Sequence, residues 1–149
     1  MLFPCHCGAR SLAVMEDEVM KKILVFFAAG CLGAMANSIA VWLFGEFGIS
    51  RSLGVSLSPA LTPNWLYPRI VWGGIWGLLF VLPILKSRLL LKGTFLSLFP
   101  TAVQLFVVFP YQAGKGVGGL ELGLLMPALV LFFNWVWGVV TAATIKLAK

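Results

Sequence analysis

Residues 23–44 run for 22 positions without one charged side chain. No other feature restricts the fold as strongly. At a rise of about 1.5 Å per residue an α-helix of this length spans roughly 33 Å, enough to cross the hydrocarbon core of a bilayer. Further apolar stretches follow at residues 66–85, 94–109 and 122–145. The third reaches membrane length once residues 89–91 join it and Lys92 extends its amine to the interface. Hydrocarbon leaves only helices and closed barrels as spanning solutions, because each backbone polar group must be satisfied internally. The ten-residue alternation of a barrel strand is absent. The expected fold class is an all-α integral membrane protein, a bundle of four transmembrane helices. Only 11% of the 149 residues are charged, against about a quarter in a soluble domain.

Lys and Arg are retained on the cytoplasmic side of short loops, so their distribution sets the orientation. Arg10, Lys21, Lys22, Lys86, Arg88, Lys92, Lys146 and Lys149 lie on one face, against Arg51, Arg69 and Lys115 on the other. Both termini are therefore expected in the cytoplasm, in a membrane of the bacterial inner type. The net charge of +6 reads as topology signal rather than nucleic-acid binding, since no basic face is interleaved with exposed aromatics. Residues 20–149 read as a single domain. Residues 1–19 read as a poorly ordered N-terminal extension, with Met15 and Met20, just ahead of Lys21 and Lys22, as alternative starts. Residues 45–65, rich in Gly, Pro and Ser, are expected to rest on the outer leaflet or dip back into it.

Small residues recur at four-residue spacing, which places each set on one helix face and allows close backbone approach. Ala29 and Gly33 form one such set, Gly73 and Gly77 a second, and Gly138 and Ala142 a third. They are expected to pack helices within one bundle or to join copies of the chain. Asn37, Gln104 and Asn134 lie within the apolar spans, each about 16–21 Å from the start of its helix by the same rise. Amides in hydrocarbon need partners, so the three are expected to face inward and meet. Arg69 enters from the outer end of the second span and is placed to reach them. Two roles follow for this cluster: interhelical hydrogen bonding, or a polar site that binds or passes a small solute, an anion above all.

Among the six tryptophans, Trp72 and Trp76 share a helical face and are expected to line an apolar groove. Around them, Pro63-Asn64-Trp65-Leu66-Tyr67-Pro68-Arg69-Ile70-Val71-Trp72 resembles the Trp/Pro-rich segment of the tryptophan-rich sensory protein family, over about one helix. The Trp spacing differs by one and that family has five helices, so no functional residue is carried over.

Catalytic signals are missing. No Asp or Glu lies in any span, which argues against proton coupling. His6 is the lone histidine, and Cys5-His6-Cys7 falls short of the two spaced ligand pairs of a structural zinc site. Gly114-Lys115-Gly116-Val117-Gly118-Gly119 spells G-x-G-x-x-G but follows no strand, so it reads as a turn. Neither a cofactor nor a metal is expected. The expected role is a non-catalytic membrane component, an accessory subunit of a larger membrane complex or a self-associating scaffold. The alternative is a passive permease or small-ligand binder built on Asn37, Arg69, Gln104 and Asn134. The expected partners are the lipid bilayer and either further copies of the chain or a larger membrane complex.

Overall fold

The apolar runs fold mainly as helices in the computed structural model, which describes residues 7–85 and 87–148, with side chains from residue 14 onward. Cys5, His6, Lys86 and Lys149 lie outside the described residues, as does the side chain of Arg10. Among the described residues no three His, Cys, Asp or Glu side chains are grouped as metal ligands would be. In chain order the elements are α1 (Cys7–Glu46), α2 (Ile49–Ser52), α3 (Pro63–Gly77), α4 (Leu89–Leu96), α5 (Leu98–Val103) and α6 (Met126–Leu147). A 3₁₀ turn at Leu78–Val81 extends α3, a π-helix at Gln104–Gln112 extends α5, and a second 3₁₀ turn at Val117–Leu122 precedes α6. Three helical stretches are long and apolar enough to cross a membrane: Val14–Glu46, Leu89–Gln112 and Met126–Leu147.

The helix boundaries depart from those expected, for identifiable reasons. The N-terminal stretch is helical from Cys7, with Lys21 bonding Asp17 one turn earlier at 2.7 Å. The second stretch begins at Pro63, whose ring suits the first helical position. It ends at Val81 rather than 85, because Pro83 cannot continue a helix. Pro110 lacks an N–H, and its ring would collide with the carbonyl four residues back in an α-helix. The chain there widens to π geometry, with the Ala113 N–H donating to the Val108 carbonyl five residues earlier at 2.9 Å. The last helix starts at 126 rather than 122. Gly118, Gly119 and Gly123, with φ of 73°, 70° and 145°, hold backbone no right-handed helix can use.

Lys92 is a correction. It does not extend outward; it is buried, and its Nζ donates to the carbonyl of Phe80 at 2.7 Å and to that of Leu82. The end of α3 leaves carbonyls without intrahelical donors, and a cation there satisfies them and faces the negative end of the helix dipole.

Helix α1 runs through the middle of the bundle. Helices α3 and α6 pack antiparallel against it, and α4 packs on the far side of α6. All six small residues expected at interfaces are buried there. Gly77 lies against Gly30 and Phe26, Gly73 against Gly30 and Ala34, Gly33 against Trp137 and Thr141, and Gly138 against Gly93 and Ser97, while Ala29 and Ala142 are fully enclosed. These faces are thus filled within the chain. Two apolar clusters stack along the bundle. One contains Ala29, Phe80, Leu96 and Trp137, and the other Val41, Val55, Phe109, Met126 and Phe133. The segment after α2 folds back over the second cluster, burying Val55 and donating from the Ser56 N–H to the Leu122 carbonyl at 2.7 Å.

Candidate functional site

Between the two apolar clusters lies a polar layer. Asn37 and Ser38 are consecutive on α1, so their side chains diverge by about 100°, one turned to α6 and the other to α3. Arg69 on α3 bridges both: Nη2 donates to Asn37 Oδ1 at 2.9 Å and Nε to Ser38 Oγ at 3.1 Å. Its guanidinium also sits over the ring of Trp65, one turn earlier on α3, at 4.6 Å from the centroid. A cation over an indole face in a dry setting gains about 2 kcal/mol or more.

The remaining bonds follow from what each group can donate. A guanidinium has no acceptor, so Asn37 must turn its oxygen to Arg69 and its NH2 away. That NH2 donates to the Phe133 carbonyl at 2.8 Å and to Asn134 Oδ1 at 3.4 Å. The Asn134 amide nitrogen in turn donates to Gln104 Oε1 at 3.3 Å. The chain of bonds therefore has one direction, from Arg69 through Asn37 and Asn134 to Gln104. Both ends finish on N–H groups, the spare guanidinium hydrogens and the NH2 of Gln104. The structure thus brings all four sequence-predicted polar residues into one row, joining α3, α1, α6 and the start of the π-helix.

This row borders a cavity of about 390 Å³, within the range of roughly 300–1,000 Å³ typical of small-molecule sites. Trp72 and Trp76 line it as expected, together with Ala34, Gly73, Pro100, Val103, Val107 and Gln112. No carboxylate, histidine or cysteine is among its lining residues. Among the described residues the ion pairs are those of Lys21 with Asp17 and Glu18, so Arg69 faces the cavity without an acidic partner. A second cavity, of about 400 Å³, lies at the other end of the bundle beside Phe26, Phe80 and Lys92. There the buried Lys92 already holds two carbonyls.

Sequence reasoning did not single out three contributors. Ser38 is one, although its hydroxyl next to Asn37 is a legible signal. Trp65 is another, and its i, i+4 spacing to Arg69 is the signal for the stacking. Gln112 enters the lining through the π-helix, whose one sequence cue is Pro110. The chain matches no protein-family model, no curated protein and no solved structure.

Proposed function

We propose that this chain is a non-catalytic, four-span membrane protein that binds a small anionic ligand in the cleft headed by Arg69. The observation that carries the reading is a half-buried guanidinium within a helical bundle, with spare N–H groups, an open cavity and no carboxylate beside it. A cation without a counter-charge within a membrane span is costly. A bound anion in hydrogen-bonding geometry would offset that cost. The neutral row Asn37–Asn134–Gln104 ends on the NH2 of Gln104 and so adds donor capacity there without adding charge.

Four spans are supported by the length of α3 with its 3₁₀ extension. Fifteen α-helical and four 3₁₀ residues give about 30 Å, one hydrocarbon thickness. The Lys and Arg bias supports cytoplasmic termini and an inner membrane of the bacterial type. The accessory-subunit or scaffold role rested partly on small-residue faces. Those faces are occupied within the chain, so the cleft now carries the stronger argument.

The test is thermal unfolding of the purified chain in a neutral detergent, with sodium phosphate, sulfate or acetate titrated at constant ionic strength. The expected result is a saturable rise in the midpoint for at least one anion, lost in Arg69→Gln. No rise for any anion, or an equal rise in the variant, refutes the reading. Anion flux into liposomes containing the chain alone would turn the binder into a permease.

A further inference from the structure

We infer that the ligand of this cleft is a membrane amphiphile with an anionic oxyacid head and one acyl chain. It is taken sideways from the leaflet in which α3 begins, its head on Arg69 and its chain along Trp72 and Trp76. The inference rests on the anion-binding reading and names the ligand class that reading leaves open.

The first argument is the direction in which the cleft opens. Contacts run from α3 to α1, from α1 to α6 and from α6 to α4, and no comparable packing joins α3 to α5 or to the π-helix among the described residues. The bundle is therefore a curved row with a lateral slot between its two ends. Trp72, Val103 and Val107 line the cleft and are 57%, 36% and 46% exposed, so the cleft is open along this apolar edge. A slot walled by exposed apolar side chains at membrane depth opens on acyl chains rather than on water.

The second argument is the order of polarity along the slot. Packing pairs fix the levels of the antiparallel helices: Ser38 with Arg69 and Asn37 with Asn134 at one level, and Ala34 with Gly73 one turn further in. Asn37, Ser38, Arg69, Gln104 and Asn134 lie at the first level, with Val107, Val108 and Gln112 further toward the start of α3. Below it the lining is Ala34, Gly73, Trp76, Val103 and Trp137, with the indole N–H of Trp137 already donating to the Gly30 carbonyl at 3.1 Å. From Arg69 to Trp76 is seven residues, or about 10 Å of apolar wall. Arg69 itself lies six residues from Pro63, roughly 9 Å from the start of α3. The head site is thus nearer the surface and the apolar wall nearer the midplane, the same polarity as a lipid in that leaflet.

The third argument is size. A cavity of about 390 Å³ takes a small head and part of one chain, not the two chains and large head of a bulk phospholipid. The donor set of guanidinium and amide N–H suits a carboxylate or a phosphate monoester equally. A fatty acid and a lysophosphatidate share this chemistry and are separated by the test.

The experiment uses quenching of tryptophan fluorescence in the full chain in dodecyl maltoside, with stearic acid dibrominated at mid-chain as the probe. The brominated alcohol and brominated lysophosphatidate are run in parallel. Saturable quenching by one of the two acids is expected, at least tenfold tighter than by the alcohol and at least tenfold weaker in Arg69→Gln. Most of its amplitude should vanish in the double variant Trp72→Phe/Trp76→Phe. The tighter acid identifies the head. Equal quenching by acid and alcohol refutes the inference, since it reports partition into the micelle. If Arg69→Gln does not fold, the acid-against-alcohol comparison on the wild-type chain decides alone. Anion-dependent stabilisation without saturable quenching overturns this inference and leaves the anion site standing; absence of both overturns the two together.

Discussion

Alanine at Gly77 should be far more damaging than alanine at Gly74, although the two glycines are three residues apart on α3. A Cβ on Gly77 would lie 2.9 Å from the Cα of Gly30 and would overlap the carbonyl oxygen of Phe26, both backbone atoms of α1. Carbon atoms in good contact stand about 3.5–4.0 Å apart. Neither atom can turn aside, so α1 and α3 must separate by about 0.5–1 Å, a gap that forfeits a quarter to a half of each dispersion contact. Overpacking of this kind costs about 1–3 kcal/mol, and two backbone contacts place Gly77 toward the upper end. Replacing a helical glycine by alanine returns about 0.5–1 kcal/mol, leaving a net loss of about 2 kcal/mol. On Gly74 the Cβ meets Cys31 Sγ and the Phe27 ring, each at 2.7 Å, and both are half-buried side chains that can rotate away. There the propensity gain offsets the crowding, and the net change stays within about 0.5 kcal/mol. At about 2–4 °C per kcal/mol for a chain of this size, Gly77→Ala should melt several degrees lower, with Gly74→Ala close to wild type. Size-exclusion of heated, detergent-solubilised samples measures both. Equal shifts would refute the claim that backbone contact sets the α1–α3 spacing. A widened interface would also stretch the Arg69 bonds to Asn37 and Ser38, so Gly77→Ala should weaken anion stabilisation as well.

Lys92→Met should lower stability by about 2–3 kcal/mol, since hydrogen bonds to a charged group contribute about 1.5–3 kcal/mol and α3 would lose the donor to Phe80 and Leu82. Lys115→Met, at an exposed loop position, is the control that should melt unchanged, and equal midpoints would overturn the capping role. For the polar row, Asn134→Leu and Gln104→Leu should be non-additive, with a coupling of about 0.6 kcal/mol, the average for hydrogen bonds between membrane helices. Strict additivity in the double variant would mean that the 3.3 Å bond between them contributes nothing. Orientation is checked by single cysteines at Ser58 and Ser87 in a chain whose native cysteines are replaced by alanine. An impermeant maleimide on intact cells should label Ser58→Cys and spare Ser87→Cys, and the reverse pattern would place the termini outside.

The π-helix ties backbone geometry to the cleft. Its first residue is Gln104, the last amide of the polar row, and its last is Gln112, another lining residue. Such segments are costly in regular helices and often lie at functional sites. Here Pro110 supplies a local cause, so the widened turn needs no ligand to explain it.

Local spacing and the solvent dictate what can be read along this chain. Uncharged runs in hydrocarbon must be helical, small residues four apart must share a face, and amides at membrane depth must turn inward. Asn37, Arg69, Gln104 and Asn134 were therefore legible as one cluster. The tertiary structure alone decided which partner each face meets. Gly77 was seen to need a close neighbour, but nothing near it in sequence names Gly30, and Asn37 finds the Phe133 carbonyl 96 residues away. Lys92 looks from the sequence like any interfacial lysine, and only the broken end of α3, folded back beside it, supplies the carbonyls that draw it in. The open slot between α3 and α5 is likewise invisible to periodicity, which reports the face a helix buries and not the face its neighbours leave uncovered. Spacing is a property of one helix, whereas a cavity belongs to the arrangement of several.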